Sequence, residues 1–420
     1  MTATLERGLN ALREQIDAPV ASFFTSCVSC GLCAEACLFY TETRDPKYTP
    51  IHKLDLMRRM WQDEFTLMGR VKSLLGLGKP ITDAELASFE ELVYESCTMC
   101  GRCTLVCPVG NDITLMVRKM REGMSAAGYG PEALVGAAQR HWDKGGPMGD
   151  LWKAMGSHIA RIEHSTGHKI NTDVEGVDYL VILSAQEIVE FNDVIEAMTR
   201  IFEKAGVTWT FSTDAIEATN VGVQLGSADI AREFVSRVVG AAEKLKVKGI
   251  ISPECGHAYQ ALRWEGPNLI GRTYPFEVVH IIELLDRLAT QGKLPVKGKD
   301  STKLTFHDPC QINRRGGINK EPRRLLNMVA ENFVETEDAG TMNWCCGGGG
   351  GVGSNENATD IRFKAFQHKK RQFEDVGADK VVTMCAYCHH ILEESLEHYQ
   401  IDDKIEVQGL TELMAEYLDD

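Results

Sequence analysis

Five cysteines in three separate segments have the spacing to hold an inorganic cluster. Cys345 and Cys346 are adjacent and precede Gly347-Gly348-Gly349-Gly350-Gly351-Val352-Gly353. Vicinal cysteines make a poor disulfide, because their Cβ atoms cannot easily reach disulfide geometry. They can instead offer two thiolates to neighbouring irons of one cluster. Glycines lack Cβ, so the backbone can pass close to a bulky inorganic ligand and aim its N–H groups at sulfide. The other thiols are Cys310, in His307-Asp308-Pro309-Cys310, and Cys385 and Cys388, in Cys385-Ala386-Tyr387-Cys388. The full pattern is a cysteine, 34 residues, a cysteine pair, 38 residues and a C-x2-C.

Eight more cysteines form two tight clusters nearer the N-terminus. Cys27, Cys30, Cys33 and Cys37 are spaced C-x2-C-x2-C-x3-C, and Cys97, Cys100, Cys103 and Cys107 repeat that spacing. This is the spacing of [4Fe–4S] ferredoxin motifs, in which the fourth cysteine of each motif completes the other cluster. Cys27, Cys30, Cys33 and Cys107 are therefore assigned to one cubane. Cys97, Cys100, Cys103 and Cys37 are assigned to the other. Leu38 stands where the pattern prefers proline. Zinc sites use paired C-x2-C rather than a run of four cysteines, which argues against zinc here. The fourteenth cysteine, Cys255, stands apart.

The elements that must position these thiols differ along the chain. Residues 1–26 read as helical, with Leu5, Leu9, Leu12 and Ile16 at helical spacing. The 59 residues between the two motifs hold helix-like stretches at Lys53–Phe65 and Asp83–Ser96. They also hold an apolar basic stretch from Leu67 to Lys79. It has the character to dock on a membrane partner, but the ordinary expectation is an amphipathic helix packed on its own domain. Helices and a Gly/Pro link at Lys144-Gly145-Gly146-Pro147 follow. The pattern then becomes alternating. Strands are expected at 177–183, 207–211 and 249–252, and helices at 187–205 and 227–245. The order recurs with strands at 303–306 and 380–384 and helices at 321–331 and 358–376. Such alternation predicts α/β units with parallel sheets.

The two halves read as a diverged internal repeat. Thr219-Asn220-Val221-Gly222 stands for Cys345-Cys346-Gly347-Gly348, and Ser252-Pro253-Glu254-Cys255 for Cys385-Ala386-Tyr387-Cys388. Only Cys255 survives of the first site, so one unusual cluster is expected, not two. The expected architecture is α+β and multidomain. Residues 1–150 form a helical ferredoxin-like domain, 151–300 a degenerate α/β repeat, and 301–420 the cluster-binding α/β domain.

Composition sets limits. The chain has 420 residues, 44 % hydrophobic and 25 % charged, which is ample for a buried core. A formal charge of −15 argues against nucleic acid and against an anionic membrane surface. Met1 to Val20 has no apolar signal-peptide core, and no apolar run approaches the ~20 residues that span a bilayer. Clustered thiols without an export signal predict a cytoplasmic metalloprotein. Gly348-x-Gly350-x-x-Gly353 matches the dinucleotide fingerprint formally, but no strand directly precedes it, and the match is rejected.

The double Cys-Cys-Gly arrangement resembles the CCG-domain family, which includes the catalytic subunit of heterodisulfide reductase. The fused two-cubane domain resembles that of the methanogen membrane-type subunit. Glu254-Cys255-Gly256-His257-Ala258-Tyr259 and residues 343–351 are most similar to the sulfite-reduction-associated K-type and hydrogenase-associated relatives. The resemblance implies a non-cubane [4Fe–4S] cluster on Cys310, Cys345, Cys346, Cys385 and Cys388, beside two [4Fe–4S] cubanes. It implies conversion of a disulfide or thiol. Implied partners are a membrane cytochrome b-type subunit handling quinol and further redox subunits: a hydrogenase, a cytochrome or a sulfur carrier. The place implied is the inner face of the membrane, peripheral, through those partners. The degenerate first repeat leaves the disulfide unnamed.

His257, His307, His389 and His390 flank the cysteine motifs, and histidine titrates near neutrality. His257 is the first choice for proton transfer, two residues from Cys255, and His307 is a further candidate. Cys255 is read as a sixth thiolate, a thiol forming a mixed disulfide, or an inert buried residue. Two competing functions share the domain order. One is the iron–sulfur subunit of a glycolate, lactate or glycerol-3-phosphate oxidase. The other is a non-catalytic relay between a hydrogenase and the membrane.

Overall fold

The helix expected over 1–26 is two helices, Ala3–Glu14 and Ala18–Ser26, in the computed structural model, which describes residues 3–419. Asp17 accepts the Val20 amide and Pro19 sits in the first turn, so a second helix starts there. Met1, Thr2 and Asp420, at the ends of the expected 1–150 and 301–420 domains, lie outside the described residues.

The chain divides into two compact units. The first comprises the chain up to Val135 with Val223–Ala228 and Gly347–His368. It is helical. Ala3–Glu14 lies along Ile113–Ala127, and small residues allow the approach: a Cβ on Gly8 would meet Ala127 Cβ at 2.5 Å. Leu5, Leu12, Met116, Met120 and Met124 form its core. Helix Asp83–Glu90 runs on into a π-helical turn, Glu91–Glu95, that leads to Cys97.

The stretch from Leu67 corrects its ordinary expectation. Helix Leu67–Leu74 meets the chain through Gly69, whose Cβ would collide with the backbone of Gln62. Its large apolar side chains therefore point away. Leu67 is 82 % exposed, Leu74 88 % and Leu77 71 %.

The second unit comprises Gly136–Gly222, Asp229–Cys346 and the chain from Lys369. It holds two four-stranded sheets. The strands of the first are β1 (Tyr179–Val181), β2 (Trp209–Thr210), β3 (Gly249–Ser252) and β4 (Glu277–His280), in the order β2-β1-β3-β4. Those of the second are β5 (Asp300–His307), β6 (Ala330–Phe333), β7 (Lys380–Thr383) and β8 (Glu406–Gly409), in the order β6-β5-β7-β8. Every pairing is parallel. Parallel neighbours need crossovers, which helices such as Asp193–Ala205, Ala228–Lys244 and Lys320–Val329 supply. Central strands β3 and β7 are buried at all four positions. The single helix expected over 187–205 is two helices: Ser184 and Glu187 form a capping box that starts a short helix, Ala185–Val189, and a second, Asp193–Ala205, begins after Asn192. In open parallel sheets the carboxyl ends of the strands are where ligands bind. His307 ends β5, Cys385 follows β7 and Cys255 follows β3.

Candidate metal centres

Both four-cysteine motifs fold the same way. Ser29 and Met99, each just before the second cysteine, take left-handed φ values of 53°. Gly31 and Gly101, just after it, follow at 82° and 80° and start short helices carrying Cys33 and Cys103. Two left-handed residues so close together turn the chain tightly enough for three cysteines to share one hollow. Cys27, Cys30, Cys33 and Cys107 line one hollow, with Phe23, Ile51 and Ile113. Cys37, Cys97, Cys100 and Cys103 line another, with Phe39, Val117 and Lys53. The fourth cysteine of each motif thus lies with the first three of the other.

Burial, then Cys27 and Cys30, push the Cys33 thiol up to about 11. Burial, then Cys100 and Cys97, hold Cys103 well above the usual range. Four thiolates in such a hollow repel one another and lack solvent. Iron cations among them remove both penalties, so the donor sets fit [4Fe–4S] clusters.

A buried cation ties the second motif to the glycine run. Arg121 is fully buried and donates to the carbonyls of Val93 (2.8 Å), Cys97 (2.7 Å), Gln224 (2.6 Å) and Gly350 (2.6 Å). Gly350, at φ 63°, comes so close that a Cβ would lie 3.0 Å from the Thr98 backbone. A Cβ on Gly351 would meet Leu134 at 2.5 Å. These two glycines therefore serve close packing against protein. Proximity to an inorganic ligand was the sequence expectation for them.

In the second unit the structure gathers the other five cysteines, all buried and all free of disulfides. Cys310 Sγ lies 3.9 Å from Cys345 Sγ, and Cys346 Sγ lies 3.5 Å from Cys388 Sγ. Cys385 caps helix Ala386–His398. The Cys388 thiol and the amides of Gly256, Cys388 and Tyr387 hydrogen-bond its sulfur, which lowers its pKa although burial opposes this. Gly256 is needed there, since a Cβ would stand 2.5 Å from Gln311.

Asp308 fixes the surroundings. Its carboxylate accepts from Arg323 (2.5 and 2.7 Å), Asn313 (2.6 Å) and the Gly340 amide (2.7 Å). Its carbonyl accepts from Asn343, whose side-chain oxygen in turn accepts from Lys369 at 2.9 Å. Lys369 is fully buried beside Cys345, Cys346 and Cys388, and burial lowers its pKa to about 8.

Of the histidines, His307 is the one whose ring nitrogen groups with Cys346 and Cys388, all donor atoms lying within 4.8 Å of one another. Burial, reinforced by Lys369, holds it neutral. His389 stacks on Phe191 and bonds Glu393 at 3.2 Å, and His390 bonds Glu190 at 2.9 Å. His257 is buried in the short helix after Cys255. Cys255 itself is buried. Burial, then Cys385, push its thiol far up, with Glu217 and Glu187 adding to the effect. It caps the helix after β3 as Cys385 caps the helix after β7. The register that sets Cys255 against Cys388 thus gives way to one that sets it against Cys385.

Around Cys255 lie acids that sequence reading missed. Burial raises Glu187 to about 7 and Glu217 to about 8, and Glu254 rises well above the usual range. His141 lies 3.4 Å from Glu217, yet burial lowers it to about 3, so desolvation works against the charged form of each partner. Arg121 and Lys369 were missed too. A signal existed: each is a cation on the apolar stripe of its helix, Arg121 beside Val117 and Met124, Lys369 between Phe366 and Phe373.

Residues 304–393 match the cysteine-rich domain (CCG) family, and residues 24–111 match the 4Fe–4S dicluster domain family. The chain is similar to an Hdr-like menaquinol oxidoreductase iron–sulfur subunit 2 of Archaeoglobus fulgidus, 27 % identical over 94 % of this chain and 80 % of that protein. It is also similar to one subunit of the dihydromethanophenazine:CoB–CoM heterodisulfide reductase of Methanosarcina barkeri, 26 % identical over 94 % of this chain and 93 % of that protein. A third relative, the EtfAB:quinone oxidoreductase of Syntrophomonas wolfei, is 25 % identical over 93 % of this chain and 57 % of that protein.

Proposed function

We propose that this chain is the iron–sulfur subunit of a membrane-associated oxidoreductase, and that its second unit converts a disulfide and thiols at a non-cubane [4Fe–4S] cluster. The observation that carries this is the approach of five cysteines from three segments at the carboxyl ends of β5 and β7. The relatives named for menaquinol, dihydromethanophenazine and quinone support a quinol-linked cytochrome b partner at the other end of the electron path. The shared strand order of the two sheets supports a tandem CCG-type pair, the first degenerate.

Reduction breaks the S–S bond of R–S–S–R′, takes up two electrons and two protons, and releases R–SH and R′–SH. Clusters on the thirteen cysteines would supply the electrons one at a time. Cys310, Cys345, Cys346, Cys385 and Cys388 hold the site. Lys369 places positive charge where thiolate charge collects. Asn343 and Asp308 fix Lys369 and the backbone before Cys345. Burial excludes water. Cys255, a neutral thiol beside Cys385, and His257 next to it are placed to relay the two protons, each being reprotonated from solvent after it gives one up.

Iron analysis and EPR test this reading. About twelve irons per chain are expected, from two cubanes and one further four-iron cluster. A paramagnetic signal should appear on oxidation with ferricyanide in the presence of 2-mercaptoethanol. About eight irons and no such signal would reduce the chain to an electron relay.

A further inference from the structure

We propose that a ring nitrogen of His307 is a direct iron ligand, beside Cys346 and Cys388, of the cluster held in the second unit. This rests on the function just proposed and adds a residue outside the five-cysteine pattern. His307 is completely buried at the end of β5, and its carbonyl accepts from Thr383 Oγ1 at 3.3 Å, so the backbone is fixed. Neither ring nitrogen has a hydrogen-bond partner among the described residues. Leaving a buried polar group unmatched carries its full desolvation penalty.

The neighbours that could satisfy it are engaged elsewhere. The adjacent Asp308 carboxylate is taken by Arg323, Asn313 and Gly340. The Lys369 ammonium is turned to Asn343 and Gln372, each at 2.9 Å. What the imidazole faces is sulfur, with its nitrogen and the Cys346 and Cys388 sulfurs all within 4.8 Å. Those two sulfurs are 3.5 Å apart. Thiolates sharing one tetrahedral metal at bonds of about 2.3 Å stand about 3.8 Å apart. The pair is thus spaced to straddle one iron, and the imidazole points at the same place. His389 and His390 already spend ring nitrogens on Glu393 and Glu190, so they do not compete for it. Imidazole in place of thiolate removes a negative charge from one iron, as in Rieske centres, whose potentials lie well above those of all-thiolate clusters.

The test uses the full chain purified anaerobically with its clusters, with natural or 15N-labelled histidine. The protein is oxidised with ferricyanide in the presence of 2-mercaptoethanol and measured by pulsed ENDOR. A megahertz-scale nitrogen coupling that changes on labelling is expected, and it should vanish in His307→Ala at unchanged iron content. Full iron and a full signal without that coupling, or a coupling that persists in His307→Ala, overturns the ligand and leaves the function standing. If His307→Ala fails to fold, the isotope comparison on the unmutated chain still overturns the ligand when no coupling changes, and His307→Gln replaces the variant when one does. About eight irons and no thiol-dependent signal overturns both.

Discussion

Single side chains set the electrostatics of the second unit, and two of them make opposite demands. Lys369 is a cation kept among three cysteine sulfurs and held by Asn343 and Gln372. Positive charge there favours the more reduced, more negative state of any cluster on those sulfurs. Lys369→Met should lower the potential of the thiol-dependent EPR signal by roughly 60 mV if the charge is worth about 1.4 kcal/mol. An unchanged potential at full iron content refutes this role. Cys255 makes the other demand, for a proton. Cys255→Ser should abolish disulfide turnover while both cubanes remain, and undiminished turnover removes Cys255 from the chemistry. The acids around it also shape stability. Glu187 and Glu217 bind protons more tightly folded than unfolded, since burial raises them from 4.5 to about 7 and about 8. Their stabilising contribution is complete below pH 4.5 and is lost as pH rises through 7 and 8. Melting temperature should therefore fall across that range. Glu217→Gln should flatten the fall by roughly several degrees. A pH profile identical to the parent's would mean that Glu217 is ionised throughout.

At the scale of elements, the first unit depends on one arginine and one glycine. Arg121 gathers carbonyls from four stretches, including the Cys97 loop and the glycine run. Arg121→Met leaves those acceptors buried and unmatched, with an expected loss of roughly 3 kcal/mol or more, read by denaturant unfolding. Gly350→Ala needs φ near 63° and a Cβ 3.0 Å from the Thr98 backbone. It should lose about four irons, the complement of one cubane, from a chain that still folds. Retention of all the iron would show that the Cys97 loop tolerates displacement. The cysteine motifs were legible because ligand spacing is local, and so were β1, β2, β3, β5 and β7, whose apolar runs are long enough to read. Strands β4, β6 and β8 were not, since Glu277–His280, Ala330–Phe333 and Glu406–Gly409 are four-residue strands with polar residues at the sheet margins that borrow stability from a neighbour. The register of Cys255 was misread for a related reason. Sequence offers only cysteine spacing, whereas the fold aligns residues by which one caps the helix after each central strand.

For the molecule as a whole, the proposed function calls for a surface that docks on a membrane partner. Among the described residues no helix is long and apolar enough to cross one. The net charge of −15 opposes spontaneous binding to anionic lipid. Against that background one stretch stands out. Leu67, Met68, Leu74, Leu75 and Leu77 are all more than 60 % exposed, interleaved with Arg70, Lys72 and Lys79. Contiguous exposed apolar side chains of this kind mark interaction surfaces. The stretch is basic in a chain whose net charge is −15, so it suits an apolar, acid-rimmed face on a membrane partner. Replacing Leu67, Leu74 and Leu77 by serine removes apolar area that solvent already touches, so folding and iron content should be unchanged. The same variant should shift from the membrane fraction to the soluble fraction when expressed with its own complex. Undiminished recovery with membranes would place the docking surface elsewhere.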